Sequence, residues 1–334
     1  MSYIYINEQG SEISVDGGYC VIDTPDKAHK KIPIETIEYV SLFGNIHITT
    51  PAIQMFMQNK IPVTLYSNRG AYFGRIMSNE NVSIARQRKQ FKLSGDTEFS
   101  LNLSKKIIRA KIHNQMVVLN RYCPKNDIEQ NVKKCCNQMR YILKDIDKCK
   151  NIAQLMGCEG VAAKNYFNGL AKCVVSDFTF SGRSRRPPQD EFNAMLSLGY
   201  SILMNEVYGA AEGKGLNVYA GFLHQDRENH PTLASDLMEE WRSVIVDSVV
   251  MSLVNGHEVQ KSGFVKEKNG VFLDNETFKI FIRKYETKLR TEMSYFENNG
   301  GRMSFRRALW QQTAMLAKAI DCEDYTIYKP IQIR

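Results

Sequence analysis

Apolar and polar residues alternate in short runs over the first quarter of the chain and recur at three- and four-residue intervals over the rest. Tyr3 to Ile6 is a short run of β-formers. Glu12 to Val15 and Tyr19 to Asp23 flank Asp16-Gly17-Gly18, whose paired glycines predict a tight hairpin turn. Ile34 to Leu42 and Ile46 to Thr49 follow, parted by Gly44-Asn45. Thr50-Pro51 reads as the cap and first turn of a short helix over Ala52 to Asn59. Ile61 to Tyr66 and Ala71 to Ile76 are further strands, joined by a turn at Ser67 to Gly70. So many strands around one helix predict a small sandwich-like β domain over residues 1–80.

Asn79-Glu80-Asn81 is polar and reads as a linker or cap. Beyond it the period is helical: Ile108, Ile112, Met116 and Leu119 share one helix face. Residues 121–150 are helical and lysine-rich. Asp190 opens a helix running to about Ala210, which Gly213-Lys214-Gly215 breaks. Phe264 to Phe272 predicts a small hairpin around Lys268-Asn269-Gly270. Helices over Asn275 to Asn298 and Ser304 to Ile320 and an extended tail from Tyr325 complete the chain. The fold class is α+β, a small β-rich N-terminal domain followed by a larger all-α domain over residues 81–334.

Gly221 to Arg242 carries the densest chemistry. His224 stands on a short polar loop ahead of a helix on which Leu237, Trp241, Val244, Ile245 and Ser248 form one side. Asp236, Glu239, Glu240, Ser243 and Asp247 form the other. Asp236 and Glu239 are three apart, so their carboxylates are neighbours on an ideal helix. One imidazole and two such carboxylates suit a divalent metal with open positions. The plainer alternative is that acids in an opening turn complement the helix dipole. Upstream, Met156 to Phe167 is helical, with Glu159 near its start, where the dipole suits a carboxylate. Gly160 and Ala163 would allow close packing of a second helix, and Tyr166 would pack beneath Glu159 or else meet a ligand outside it.

The chain has 334 residues, 43% of them apolar and 24% charged, and a net charge of +8, values of a globular protein large enough for two domains. Its eight cysteines form no C-x-x-C pair, which argues against a zinc ribbon. With no signal peptide and no long apolar run, a reducing cytoplasm is the expectation. The positive charge is clustered. Arg86, Arg88 and Lys89, then Lys105, Lys106, Arg109 and Lys111, lie on helical segments. Arg183, Arg185 and Arg186 precede Pro187-Pro188 on a loop. Both groups are either solvated faces or a surface for nucleic-acid phosphates.

Three pieces in this order carry a resemblance: Gly157-x-Glu159-Gly-x-Ala-x-x-x-Tyr166-Phe167, then Arg186-Pro-Pro-x-Asp190-x-x-Asn193-Ala, then Gly221-Phe-Leu-His224 with Asp236-Leu-Met-Glu239. With Gly44, Pro51, Ile61-Pro62 and Asn68-Arg-Gly70, the chain resembles the CRISPR-associated protein one family of spacer-acquisition integrases. The resemblance implies a dimerising β domain and a helical domain holding Mg2+ or Mn2+ through Glu159, His224 and Glu239. Asp236 would support the site or share the metal. It further implies a DNA endonuclease and integrase that joins a 3′-hydroxyl to a phosphodiester. Its partners would be double-stranded DNA, a second copy, and the small CRISPR-associated protein two. Arg86, Arg88, Lys89, Lys105, Arg109, Arg183, Arg185 and Arg186 become the candidate DNA contacts. Two other readings stay open: a DNA-holding scaffold without catalysis, and a metal hydrolase of small substrates.

Overall fold

The computed structural model describes residues 2–78, 82–123, 128–174, 177–184, 187–268, 270–294 and 301–334. The Asn79–Asn81 linker, Arg185 and Arg186 lie outside the described residues. The chain divides into two compact units, Met1–Glu80 with Leu273–Ile282, and Asn81–Phe272 with Arg283–Arg334.

In the first unit, β1 (Ser2–Ile6), β5 (Ile37–Phe43), β7 (Val63–Tyr66) and β8 (Tyr72–Ile76) form one sheet in that order, parallel except for the last pair. A second sheet runs β4 (His29–Pro33), β3 (Tyr19–Asp23), β2 (Glu12–Asp16), β6 (His47–Ile48). The β2–β3 turn uses Gly17 and Gly18 at φ of 53° and 86°, the left-handed region that favours glycine. Ile4, Ile6, Ile13, Ile22, Val40, Leu42 and Val63 of the two sheets close one core with Phe56 of α1 (Thr50–Gln58).

Three local differences from the sequence reading have physical causes. The N-cap of α1 is Thr49, whose side chain accepts from the Ala52 N–H, and Pro51 lies inside the first turn. Strand β4 escapes the apolar pattern because His29, Lys30 and Lys31 are exposed on a sheet edge, where such residues discourage further pairing. The periodicity puts Leu273–Ile282 in the helical part, but it groups with the strands, and the Phe278 ring meets Phe43 edge-on at 4.8 Å.

The second unit is helical: α2 (Ile84–Ser94), α3 (Thr97–Tyr122), α4 (Ile128–Ile146), α5 (Ile152–Lys172), α6 (Glu191–Glu212), α7 (Thr232–Met238), α8 (Ser248–Asn255), α9 (Asn275–Arg290, from Arg283) and α10 (Phe305–Asp321). The expected hairpin is β9 (Phe264–Glu267) with β10 (Gly270–Leu273). Helix α9 stops at Arg290, short of Asn298, because Glu292–Met293 pairs instead with Met303–Ser304 as an antiparallel ladder. Helix α3 runs through the core and packs against α4 and α5.

The segment after α7 is not one regular helix. Hydrogen bonds tighten to three-residue spacing at Glu239 and Trp241, then widen to a π-helix over Arg242–Asp247 before α8. Every residue of α7 is buried, and of Glu239–Asp247 only Arg242 is partly exposed. Glu240 is instead answered internally. Glu240 accepts from Tyr328 Oη–H at 2.6 Å and from Ile331 N–H at 2.7 Å. Asn114 of α3 donates to the carbonyls of Glu240 and Ile331 and accepts from Ile333 N–H at 3.0 Å. The tail is thereby strapped across α3 and the segment that follows α7.

Candidate metal centre

The His224 loop is threaded in place by its backbone. Gln90, fully buried on α2, donates to the carbonyls of Asn217 and Ala220 and accepts from Asn217 N–H. Asp236 then takes the next stretch. One carboxylate oxygen accepts from the N–H groups of Phe222 and Leu223 at 2.7 and 3.0 Å. The other accepts from His224 N–H at 3.1 Å and from the ring Nδ1 at 2.7 Å. Gly221 is required by this approach: a Cβ there would stand 2.6 Å from Thr232 Cγ2 and 2.8 Å from Asp236 Oδ2.

A carboxylate on Nδ1 holds the proton there and leaves Nε2 as the nitrogen that could hold a metal. The ring is 30% exposed on its side chain, so that nitrogen is reachable. Burial pulls the His224 pKa down, but the Asp236 hydrogen bond and the Asp236 and Glu239 charges pull further, leaving it raised. Asp236 itself has both oxygens occupied and no exposed surface, which makes it the support of His224.

Glu239 and Glu159 meet elsewhere, on a cation. The Lys111 ammonium of α3 contacts Glu159 Oε1 and lies 2.5 Å from Glu239 Oε2. Glu239 Oε1 faces Arg242 Nε at 3.1 Å. Burial raises the Glu239 pKa, but Arg242 and Lys111 outweigh it and hold the carboxyl down at about 2. Burial likewise lowers the Lys111 pKa, and the two glutamates reverse it, so it is raised. Glu159 lies two turns into α5, which starts at Ile152 with Asn151 as cap, beyond the helix start the sequence suggested. Its partner there is Lys111. Gly160 has open space around it, and the close helix approach occurs instead at Gly169, where a Cβ would meet Leu119 at 3.1 Å.

Among the described residues no three His, Cys, Asp or Glu side chains form a ready-made metal cluster. The donor set still fits a hard divalent ion. Two glutamates converge on one positive charge, and a histidine anchored through Nδ1 keeps its other nitrogen available.

Lys111 is the residue sequence reasoning missed, reading it as part of a basic surface run. The signal was there: it falls three residues after Ile108 and one before Ile112, on the core side of the helix. A lysine at such a position needs a buried counter-charge. Tyr166 is fully buried and donates to Asp247 Oδ2 at 2.7 Å, while Tyr200 donates to the other oxygen. Burial pushes Asp247 up to about 6 against these hydrogen bonds. Arg183 and Arg242 lie over the Tyr200 ring, at 5.3 and 4.9 Å from its centroid.

Most of the candidate DNA contacts are engaged within the chain. Arg86 forms a fork on Asp321, Lys89 donates to the Asp321 carbonyl, Lys105 donates to the Asp147 carbonyl at 3.1 Å, and Arg109 pairs with Asp147. Arg183 donates to Asn193 Oδ1 at 2.9 Å and Ser197 Oγ at 3.1 Å. Arg88 is exposed, and among the described residues it meets no carboxylate.

The chain thus joins a β-rich N-terminal unit to a helical unit in which Glu159 and Glu239 meet on Lys111 and Asp236 anchors His224. Comparison makes this specific. The family model "CRISPR associated protein Cas1" matches residues 4–287. The "CRISPR-associated endonuclease Cas1" of Mycobacterium tuberculosis is 36% identical over 324 residues, 96% of this chain and 94% of that protein. "CRISPR-associated endonuclease Cas1 3" of Thermus thermophilus is 29% identical, covering 99% of this chain and 97% of its own. Among solved structures, a casposase bound to integration product superposes with a TM-score of 0.85 at 21% identity, over 98% of this chain and 94% of that one. A CAS1 protein from Thermotoga maritima gives 0.81 at 23%, over 96% and 97%. The chain belongs to the Cas1 family.

Proposed function

We propose that this chain is the metal-dependent DNA endonuclease and integrase of CRISPR adaptation, inserting spacer DNA into a CRISPR array. The observation that carries the reading is the meeting of Glu159 and Glu239 on one cation beside a histidine held through Nδ1 by Asp236. Glu159, His224 and Glu239 would hold Mg2+ or Mn2+, and Asp236 would hold His224. When bound, such an ion polarises a phosphodiester and stabilises the departing oxygen. The chain's own share is positional. Asp236 fixes the His224 tautomer, and Arg242 and Lys111 keep Glu239 ionised. The attacking group is a DNA 3′-hydroxyl in integration and a water in hydrolysis, so no protein nucleophile is needed.

Family membership supports the activity, since the relatives are named endonucleases and one solved neighbour is bound to an integration product. Another neighbour is part of a "Cas6-RT-Cas1--Cas2 complex", which supports CRISPR-associated protein two as a partner beside double-stranded DNA. The N-terminal unit is the proposed homodimer face: edge strand β8 carries Phe73, which is 73% exposed. Among the described residues no helix is long and apolar enough to cross a membrane.

The test is strand transfer of a short labelled duplex into a supercoiled plasmid carrying a repeat, in Mn2+ or Mg2+, with and without the small partner. Wild type is expected to give product and Glu239→Gln to give at least about 100-fold less, the loss typical of a removed charge stabiliser. Equal product from both would move the chemistry away from Glu239. Tight, salt-sensitive DNA binding with no product from wild type would favour the scaffold reading instead.

A further inference from the structure

Lys111 is more than a neighbour of the site. Its side chain is 9% exposed, and its ammonium touches one oxygen of Glu159 and one of Glu239. Those two glutamates come from separate elements, α5 and the turn that ends α7. A buried and a half-buried carboxylate brought together without a cation repel, so something positive must hold them in the chain alone. Arg242 cannot do it, because it addresses only the far oxygen of Glu239. The ammonium therefore stands at the point where the two carboxylates converge, which is the point a divalent ion needs.

We propose that Lys111 is a resident counter-cation: it pre-assembles Glu159 and Glu239 in the metal-free chain and leaves both carboxylate oxygens when the divalent ion binds. This rests on the metal reading of the site given above. Lys111 is thus a positioning residue with two opposed effects. It stabilises the empty site, and it competes with the ion for the same oxygens. Removing it takes the counter-charge from Glu159 and leaves Glu239 with Arg242 alone, a deficit the ion can then make up.

The probe is Mn2+ itself, titrated into the full chain and followed by the resonance signal of the free ion, alongside thermal melting with and without Mn2+. Lys111→Met is expected to melt lower than wild type without metal, to bind Mn2+ at least about tenfold tighter, and to gain more in melting temperature on adding it. Adding Glu159→Gln to Lys111→Met is expected to recover metal-free stability, since it removes a carboxylate left unpaired. A lysine that only fills space would show no such recovery. Lys111→Gln serves if the methionine variant does not fold. Equal Mn2+ affinity in wild type and the Lys111 variants overturns the counter-cation role while leaving the metal reading intact. No saturable Mn2+ binding in any of them overturns the metal reading, and this inference with it.

Discussion

Asp236→Asn is the sharpest perturbation of the site, because it keeps the shape of the side chain and removes only its charge and one acceptor. In the wild type, one oxygen serves Phe222 and Leu223 N–H, and the other serves His224 N–H and the His224 ring. An amide has one acceptor oxygen. Placed toward Phe222 and Leu223, its NH2 confronts those two donors. Placed toward His224, it faces the backbone N–H and turns ring Nδ1 into an acceptor, which moves the proton to Nε2 and closes that nitrogen to a ligand. Either way about two hydrogen bonds to a buried charge are lost, roughly 3 to 6 kcal/mol at 1.5–3 each. At about 2 °C per kcal/mol for a protein of this size, melting should fall by roughly 6 to 12 °C. Mn2+ affinity should fall by about 10- to 100-fold, the usual effect of removing a carboxylate behind a ligating histidine. Differential scanning calorimetry and metal titration read the two effects separately. A variant that melts within about 2 °C of wild type and binds Mn2+ as well would refute the account of Asp236 as the organiser of the loop.

Three further expectations follow from other parts of the molecule. Gly221→Ala forces a methyl to within 2.6 Å of Thr232 Cγ2 and should cost about 1–3 kcal/mol; Gly221→Ala with Thr232→Ser should recover part of it, and no recovery would place the strain elsewhere. Burial pushes the Glu240 carboxyl from its ordinary 4.5 to about 8, so it adds stability that is full below pH 4.5 and lost as pH rises through about 8. Melting temperature followed from pH 5 to 9 should therefore fall more steeply in wild type than in Glu240→Gln, and parallel curves would contradict the assignment. Arg88→Ala should reduce the slope of log affinity for duplex DNA against log salt by about one, whereas an unchanged slope would take Arg88 off the DNA surface.

The β unit was legible strand by strand, because half-buried strands alternate and their turns carry glycine at positive φ. Basic β4 was not, since an exposed edge shows no apolar pattern. The long helices were legible from their periodicity, and Asp190 and Ser304 cap theirs as their positions imply. The segment after His224 was only partly legible. Its polar and apolar sides suggest an amphipathic helix, but both are buried, and the turn and π-helix at Glu239–Asp247 break the 3.6-residue period on which that reading depends. Asp236 and Glu239 consequently face different partners, His224 and Lys111, although they are three residues apart. Spacing marks Lys111 as core-facing, but not its partners, because its glutamates come from elements distant in the chain, Glu159 being 48 positions away. The basic run around it hid one buried cation among exposed ones.

The strap of the tail over Glu240 has a consequence for the nascent chain. Glu240 and its hydrogen-bond partner Ile331 are 91 positions apart. At about 5–20 residues per second of synthesis, roughly 5 to 18 s separate the two. For that interval Glu240 lacks both Tyr328 and Ile331, and Asn114 lacks the strand of tail it later bridges. Glu240 is thus made early and braced late, and translation order alone leaves the strap across α3 open until the tail arrives.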